Sequence, residues 1–480
     1  MDGVNQRFDF RAPVPGVGEL GAVHFIAIGG AGMSAVARIM LARGVRVSGS
    51  DARDSVLLEA LGREGAQVWV GHDAGHVAAA QTVVVSSAVR EDNVELAAAR
   101  ASGLRVLHRA QALAATMQDS VRAAVAGANG KTTTTSMLTV ALQHSGADPS
   151  FAIGGELAAA GTNARWGSGG LFVAEADESD GSFLVYRPRV AVVTNVQPDH
   201  LDFYGTFARV QEAYADFARS VEPGGLLVAC HDDAGSRRLA ERARAEGVRV
   251  MTYGVEPGAD LRLENGGSEG LSAAARLRDG ATARDLRIGT PGGHNLLNAA
   301  AAYTAAVHGL GQDPDAVLQG LGAFTGTRRR FELKGVARGV TVIDDYAHNP
   351  GKVAAVVRTA ADLVAGARLL VVFQPHLFSR TRDFAEAFAE ALAPADSVVL
   401  MDIYGAREDP MPGVTSDLIA KPLHALRPGL DLVVRPASEE VAGLVAERAV
   451  EGDLVLTVGA GDVTALGPAI LQALDGDVAG

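Results

Sequence analysis

A single cysteine, Cys230, stands among 480 residues, which excludes an internal disulfide and any metal cage built on several thiolates. It follows the apolar run Leu226 to Ala229 and reads as a small buried residue rather than a nucleophile. Long apolar runs are missing as well: no eighteen uncharged apolar residues follow one another, so no membrane partner is expected. The opening MDGVNQRFDF lacks the cationic start and apolar core of an export signal, so the cytoplasm is the expected compartment. There is no excess of positive charge either. Lys and Arg number 43 against 56 Asp and Glu, and a net charge of -13 argues against nucleic acid as a partner. Nucleotides, which need only a local positive site, are not excluded.

Lysine is scarce too, four of those 43 basic residues, yet one of the four ends the stretch VAGANGK at position 131. Gly127, Gly130, Lys131 and Thr132 fit a phosphate loop contracted to G-x-x-G-K-T. The apolar run Val121 to Ala126 predicts a strand, and the Thr-rich segment to His144 predicts a helix closed by Gly146. The glycines then lie where backbone N-H groups and the positive helix end face an anion.

The length predicts two or three domains. Strands alternate with helical patterns throughout, so the expected class is α/β with mostly parallel sheets. We place the domains at 1–118, 119–328 and 329–480. The first opens VHFIAIGGAGMSAVARIMLARGVRVSGSD, in which Gly30, Gly32 and Ala35 match G-x-G-x-x-[GA] and Asp51 follows about twenty residues later. Read literally this is a nicotinamide oxidoreductase. A second phosphate loop and several acidic strand ends suit instead a chain whose first loop holds a nucleotide-sugar substrate and whose second holds ATP.

In the second domain LFVAEADESDGSF puts Glu175, Asp177, Glu178 and Asp180 at a strand end, and AVVTNVQPDHLDFYG puts Asp199 and His200 after another. Mg2+ on nucleotide phosphates takes one or two carboxylates and a loop hydroxyl, here Thr132, so one acid of the cluster is expected near the metal and the others in solvent. GGHNLLNAAAA brings His294, Asn295 and Asn298 to a helix start, more polar groups than capping needs. In the third domain four apolar runs end in Asp344, Asp345 and His348, in His376 and Arg380, in Asp402 and Arg407, and in Gly461, which predicts one cleft at a sheet edge.

The ordered set HFIAIGGAGMS, GANGKTTTT, EADESDGSF, TNVQPDHLD, GGHNLLNAAAA, TGTRRRFE, DDYAHNP, FQPHLFSRT, DIYGAREDPMPGVTS and GAGD resembles the Mur ligase family over about residues 20 to 470. The resemblance implies a Rossmann-like N-terminal domain, a central ATP-binding domain and a Rossmann-like C-terminal domain. It implies ATP and Mg2+ as cofactors, and UDP-N-acetylmuramate and L-alanine as substrates joined through an acyl phosphate. DIYGAREDPMPGVTS and FQPHLFSRT point to the alanine-adding branch. The nearest competitor reattaches recycled tripeptide to the same UDP-sugar; it usually has Phe where this chain has Tyr346. A non-catalytic nucleotide-sugar sensor on the same fold is the alternative from another class. No feature of the sequence specifies an oligomeric state.

Carried over from the resemblance, ATP would meet Gly127, Ala128, Asn129, Gly130, Lys131, Thr132, Thr133, His294, Asn295, Asn298, Arg330 and Asp345. The metal would meet Thr132, Glu175 and His200, and the uridine diphosphate Gly30, Gly32, Ser50, Asp51, Ser86, Ser87 and Ala88. Tyr346, His348, His376 and Arg380 would receive the amino acid, with Lys131, His200, His348 and Arg380 catalytic. The chain departs from the residues usual in the alanine-adding branch at Ala128 and Asn129 (Thr-His there, although related Mur ligases use Asn at the second place), Gln197 (commonly Glu), Asn349 (His), Lys352 (Glu) and Leu377 (Arg).

Overall fold

The structure, a computed structural model, describes residues 7–364, 366–406 and 408–476; Arg407 lies outside them. Three sheets follow one another along the chain. The first contains β1 (Val23–Ile26), β2 (Val47–Asp51), β3 (Gln67–Val70), β4 (Thr82–Val85) and β5 (Arg105–His108), all parallel, in the order β3-β2-β1-β4-β5. The order reverses between β1 and β4, so the loops leaving these two strands open side by side, the position where such sheets hold ligands.

The second sheet has ten strands: β6 (Val121–Ala126), β7 (Ser150–Leu157), β8 (Thr162–Arg165), β9 (Leu171–Glu175), β10 (Val190–Val193), β11 (Leu226–Cys230), β12 (Val250–Gly254), β13 (Leu261–Glu269), β14 (Ser272–Asp279) and β15 (Thr282–Ile288). Their order is β15-β14-β13-β12-β11-β10-β6-β9-β7-β8. β6 lies between β10 and β9, parallel to both, so the loops after all three share one edge. The central strands are apolar on both faces, as helices on either side of a parallel sheet require; the four residues of β10 are all buried. Cys230, at the end of β11, is buried, and burial raises its thiol to about 11, which makes it unreactive.

The helix Lys131–His144 is rich in Thr, a weak helix former. Thr135 and Thr139 turn their hydroxyls back onto the carbonyls of Lys131 and Thr135, which satisfies them inside the core. One buried apolar cluster runs unbroken from Phe25, Ile39 and Leu113 to Phe172, Tyr204 and Phe217, so the first two sheets belong to one compact unit with residues up to 325.

The second unit holds the rest of the chain from Gly326 together with two short segments, 268–271 and 290–292. Its sheet contains β16 (Glu332–Ala337), β17 (Val340–Asp345), β18 (Leu369–Phe373), β19 (Ser397–Leu400), β20 (Asp431–Val434) and β21 (Leu454–Val458) in the order β16-β17-β21-β18-β19-β20, parallel except for β16. No helix among the described residues is long and apolar enough to cross a membrane.

Candidate active site

The loops after β1, β2 and β4 carry the residues expected at the nucleotide sugar. Asp51, at the end of β2, accepts a hydrogen bond from Gly29 N (2.9 Å) and so ties the glycine turn to the sheet edge. Ser50 points inward and donates to Glu95 Oε2 (2.5 Å). Glu95 is fully buried, and its carboxylate also meets His76 Nδ1 at 2.7 Å and His72 Nδ1 at 3.1 Å, with His24 Nε2 at 3.7 Å. Burial alone would raise this carboxyl; the histidine and serine bonds overcome it and hold it at about 2, below its ordinary 4.5. Sequence spacing did not single out Glu95, whose partners come from three separate segments.

A folded-state value below the unfolded one means stability that is full above about 4.5 and lost as the pH falls toward 2. At neutral pH the contribution is about 3 kcal/mol. Glu95→Gln is therefore expected to lower the denaturant midpoint at pH 7, and the difference from wild type to shrink steadily between pH 5 and about 2.5, as read by unfolding at each pH.

At the second sheet edge the contracted loop needs its glycines. Gly127 and Gly130 have φ of 138° and 84°, and a Cβ on Gly127 would lie 2.0 Å from Thr194 Oγ1. The loop is bolted to the one after β10: Asn129 N donates to Asn195 Oδ1 (2.9 Å) and Thr194 Oγ1 donates to Asn129 O (2.6 Å). Asn129 Nδ2 donates to Gln197 Oε1 (3.0 Å), so two of the departures from the family pattern contact each other as a neutral amide pair. Thr134 Oγ1 donates to Asn298 Oδ1 (3.1 Å), and Asn298 Nδ2 to Asn295 Oδ1 (3.3 Å), which joins the second helix start to the loop's helix. Burial lowers the adjacent His294 to about 4, so it is neutral at physiological pH.

Of the acids after β9, Glu178 is buried and Asp180 largely so, contrary to the expectation of solvated carboxylates, while the Asp177 side chain stays 42% exposed. Glu175 accepts from Thr132 Oγ1 (3.1 Å) and from Gly154 N (2.7 Å). Asp177 Oδ2 lies 3.6 Å from Arg109. Glu178, 2% exposed, accepts from Lys131 Nζ (2.8 Å), which also donates to Gly127 O (2.6 Å). Asp180 accepts from Ser87 Oγ and lies 3.2 Å from His108 Nε2. Burial pushes the Glu178 carboxyl up against the pull of the Lys131 ammonium. His200 has a left-handed backbone, φ 52°, and its Nε2 approaches Glu178 (3.8 Å) and Asp199 (3.9 Å) without bonding either.

These donors fit a magnesium nucleotide. Glu175 and Thr132 offer adjacent hard oxygens, and Glu178 Oε2 and Asn129 Oδ1 are buried acceptors that bond nothing. Among the described residues no three His, Cys, Asp or Glu side chains converge on a metal position.

In the second unit Tyr346, His348, His376 and Arg380 come together. His348 Nδ1 donates to Tyr346 O (2.9 Å), leaving Nε2 as an acceptor, and the His348 and His376 rings lie 5.7 Å apart. Burial drives His348 down to about 2, helped by Lys352 and Arg380, so the ring stays neutral, with its one proton on Nδ1. Arg380 Nη1 lies 3.4 Å from His376 Nδ1. Tyr404, absent from the expected set, stacks on His376 at 5.9 Å, and the guanidinium groups of Arg329 and Arg330 cover Tyr346 at 4.7 and 5.1 Å.

Asp345 spends its carboxylate on Phe331 N and Ala347 N (2.7 Å each) and so shapes the turns beside Arg330 and Tyr346. Asp402 pairs with Arg435 instead of joining the cluster. Asn349, where relatives have His, caps the helix Pro350–Leu363 by accepting from Lys352 N. Leu377 adopts φ 73°, a strained conformation for a branched residue, at the turn between His376 and Arg380.

Three family models match consecutive segments: "Mur ligase family, catalytic domain" over 22–120, "Mur ligase middle domain" over 125–306 and "Mur ligase, glutamate ligase domain" over 329–461. The chain is 54% identical over 464 residues to a UDP-N-acetylmuramate–L-alanine ligase of Paenarthrobacter aurescens, covering 96% of this chain and 99% of the relative. It is 55% identical over 468 residues to the enzyme of that name from Kineococcus radiotolerans, covering 96% and 98%. The crystal structure of UDP-N-acetylmuramate-alanine ligase from Thermotoga maritima superposes with a TM-score of 0.80 at 28% identity, over 95% of this chain and 99% of that one. A murein peptide ligase from Psychrobacter arcticus shares the fold, with a TM-score of 0.68 at 24% identity over 96% and 100% of the two chains. With all three domains matched and half of its residues identical to relatives along nearly its full length, this chain belongs to the Mur ligase family.

Proposed function

We propose that this Mur ligase joins L-alanine to the lactyl carboxylate of UDP-N-acetylmuramate, forming ADP and phosphate, in the synthesis of peptidoglycan precursors in the cytoplasm. The observation that carries the reading is the pairing of Lys131 and Thr132 with Glu178 and Glu175, in a chain more than half identical to ligases of that name. A carboxylate is a poor electrophile. Transfer of the γ-phosphoryl group of ATP to one of its oxygens breaks the phosphoanhydride bond and supplies a leaving group. The alanine amine, having lost its ammonium proton, then adds to the carbonyl carbon, and the tetrahedral adduct expels phosphate to leave the amide.

The chain's part is to place and neutralise. Backbone N-H groups of Gly127 to Thr133 and the Lys131 ammonium receive the phosphates. His294, Asn295 and Asn298, with Arg330 and Asp345, are assigned to the nucleotide. Gly30, Gly32, Ser50, Asp51 and Ser86 to Ala88 are assigned to the UDP-sugar, and Tyr346, His348, His376 and Arg380 to the amino acid. Thr132 and Glu175, with His200 nearby, would hold Mg2+, which when bound offsets phosphate charge.

Phosphate release with ATP and Mg2+ tests the reading. It is expected only when UDP-N-acetylmuramate and L-alanine are both present, with glycine and L-serine slower. Release with the L-Ala-D-Glu-diaminopimelate tripeptide but not with alanine would move the chain to the recycling branch.

A further inference from the structure

The loop after β9 touches the ATP loop and the loop after β4 at once. Glu175 and Glu178 hold Thr132 and Lys131 of the ATP loop, while two residues further Asp180 reaches Ser87 of the loop after β4. We propose that Asp180 is a positioning residue through which occupancy of the nucleotide-sugar loop releases Lys131 for ATP. The proposal rests on the assignment of these two loops under the function above.

The buried His108 ring ties Asp180 to the first sheet. His108 is 1% exposed, ends β5, and is flanked by Phe8 and Phe10 at ring distances of 5.3 and 5.1 Å. Its Nδ1 accepts the Ala110 N-H (3.3 Å), so the ring proton is on Nε2, 3.2 Å from Asp180 Oδ2 and 3.1 Å from Ser87 Oγ. Ser87 and Asp180 meet the same ring nitrogen, so the trio is not a Ser-His-Asp relay, which uses opposite nitrogens. It is a clasp. Asp180 Oδ1 accepts Ser182 N (3.0 Å), and the donors around it hold its carboxyl well below the usual range despite burial.

Ser87 has one hydroxyl proton and now gives it to Asp180. A diphosphate oxygen that takes this proton deprives Asp180 of a donor and brings a like charge beside it. Both effects push the 177–180 segment away from the β4 loop. Glu178 rides on that segment, and its bond to Lys131 holds one of the ammonium's three donors and part of its charge away from ATP phosphates. The two ligands therefore favour one arrangement of the segment, and each strengthens the binding of the other.

Calorimetric titration of wild type, Ser87→Ala and Asp180→Ala with a non-hydrolysable ATP analogue and Mg2+, with and without saturating UDP-N-acetylmuramate, tests this. In wild type the UDP-sugar is expected to lower the analogue's Kd about tenfold, within the usual span of coupling between sites. In both variants the factor is expected to fall below about twofold, with the analogue alone binding nearly as well as it binds wild type with UDP-sugar. Ser87→Ala changes no charge, so loss of coupling in Asp180→Ala alone would trace to electrostatics and overturn the clasp. Coupling that survives in both variants overturns it too. Wild type that binds both ligands without coupling overturns the inference and leaves the function standing, whereas wild type that binds neither overturns both.

Discussion

Lys131→Ala is expected to lower kcat by at least about a thousandfold while leaving the affinity for UDP-N-acetylmuramate within about threefold of wild type. The lysine is the one ammonium in the contracted loop, 15% exposed, and it donates to Gly127 O and Glu178. Charge that grows on the transferring phosphoryl group has no other fixed cation from the loop to meet it. A thousandfold loss corresponds to about 4 kcal/mol of transition-state stabilisation, in the range of a preorganised charged contact in a site shielded from water.

The substitution also strands Glu178, whose Oε2 already bonds nothing. Removing one partner of a buried pair destabilises by about 3–5 kcal/mol, unless the remaining group neutralises. Glu178 is prepared to do so because burial already raises its carboxyl. Lys131→Ala should therefore lose stability as the pH rises, and the double variant Lys131→Ala/Glu178→Gln should recover stability without recovering turnover. Steady-state phosphate release, UDP-sugar titration and thermal unfolding across pH separate these outcomes. Equal loss of turnover and UDP-sugar binding would sink the assignment of the two loops to different ligands.

Glu175→Ala is expected to lower kcat by about 10²- to 10³-fold, the scale seen when one charge-stabilising contact is removed. Its two oxygens have separate duties, one taking the Thr132 hydroxyl and the other the Gly154 N-H. The variant frees Thr132 Oγ1 from this bond and removes the carboxylate assigned to the metal. The Mg2+ concentration needed for half-maximal rate is therefore expected to rise by at least tenfold, about 1.4 kcal/mol. Glu175→Gln keeps the size and an oxygen that can accept the Gly154 N-H but loses the charge, and should fall between Glu175→Ala and wild type. An unchanged metal requirement in both variants would shift the carboxylate role to Glu178.

Much of this site is legible in the sequence because its parts are local. A strand that ends in a glycine turn and restarts as a helix is written within about fifteen consecutive residues, and Val121–Ala126 followed by Lys131–His144 is where such a pattern places them. Asn295 and Asn298 are three apart on one helix face, so their proximity follows from the helical repeat. The acids after β9 could be located but not sorted. Glu175, Asp177, Glu178 and Asp180 look alike in one dimension, and their separate partners Thr132, Arg109, Lys131 and Ser87 come from three other segments.

By itself the sequence determined the α/β class, the order of strands and helices, the two glycine loops and the chemical types gathered at each strand end. Each of these depends on periodicity and on turn chemistry within a few residues of itself. Only the tertiary structure decided that Glu95 collects three histidines, that Asn129 meets Gln197, that His348 is kept neutral, and that Asp180 clasps the first sheet's loop to the second's. A buried polar group must find partners wherever the chain's crossings bring them, and in parallel sheets those crossings join strands dozens of residues apart.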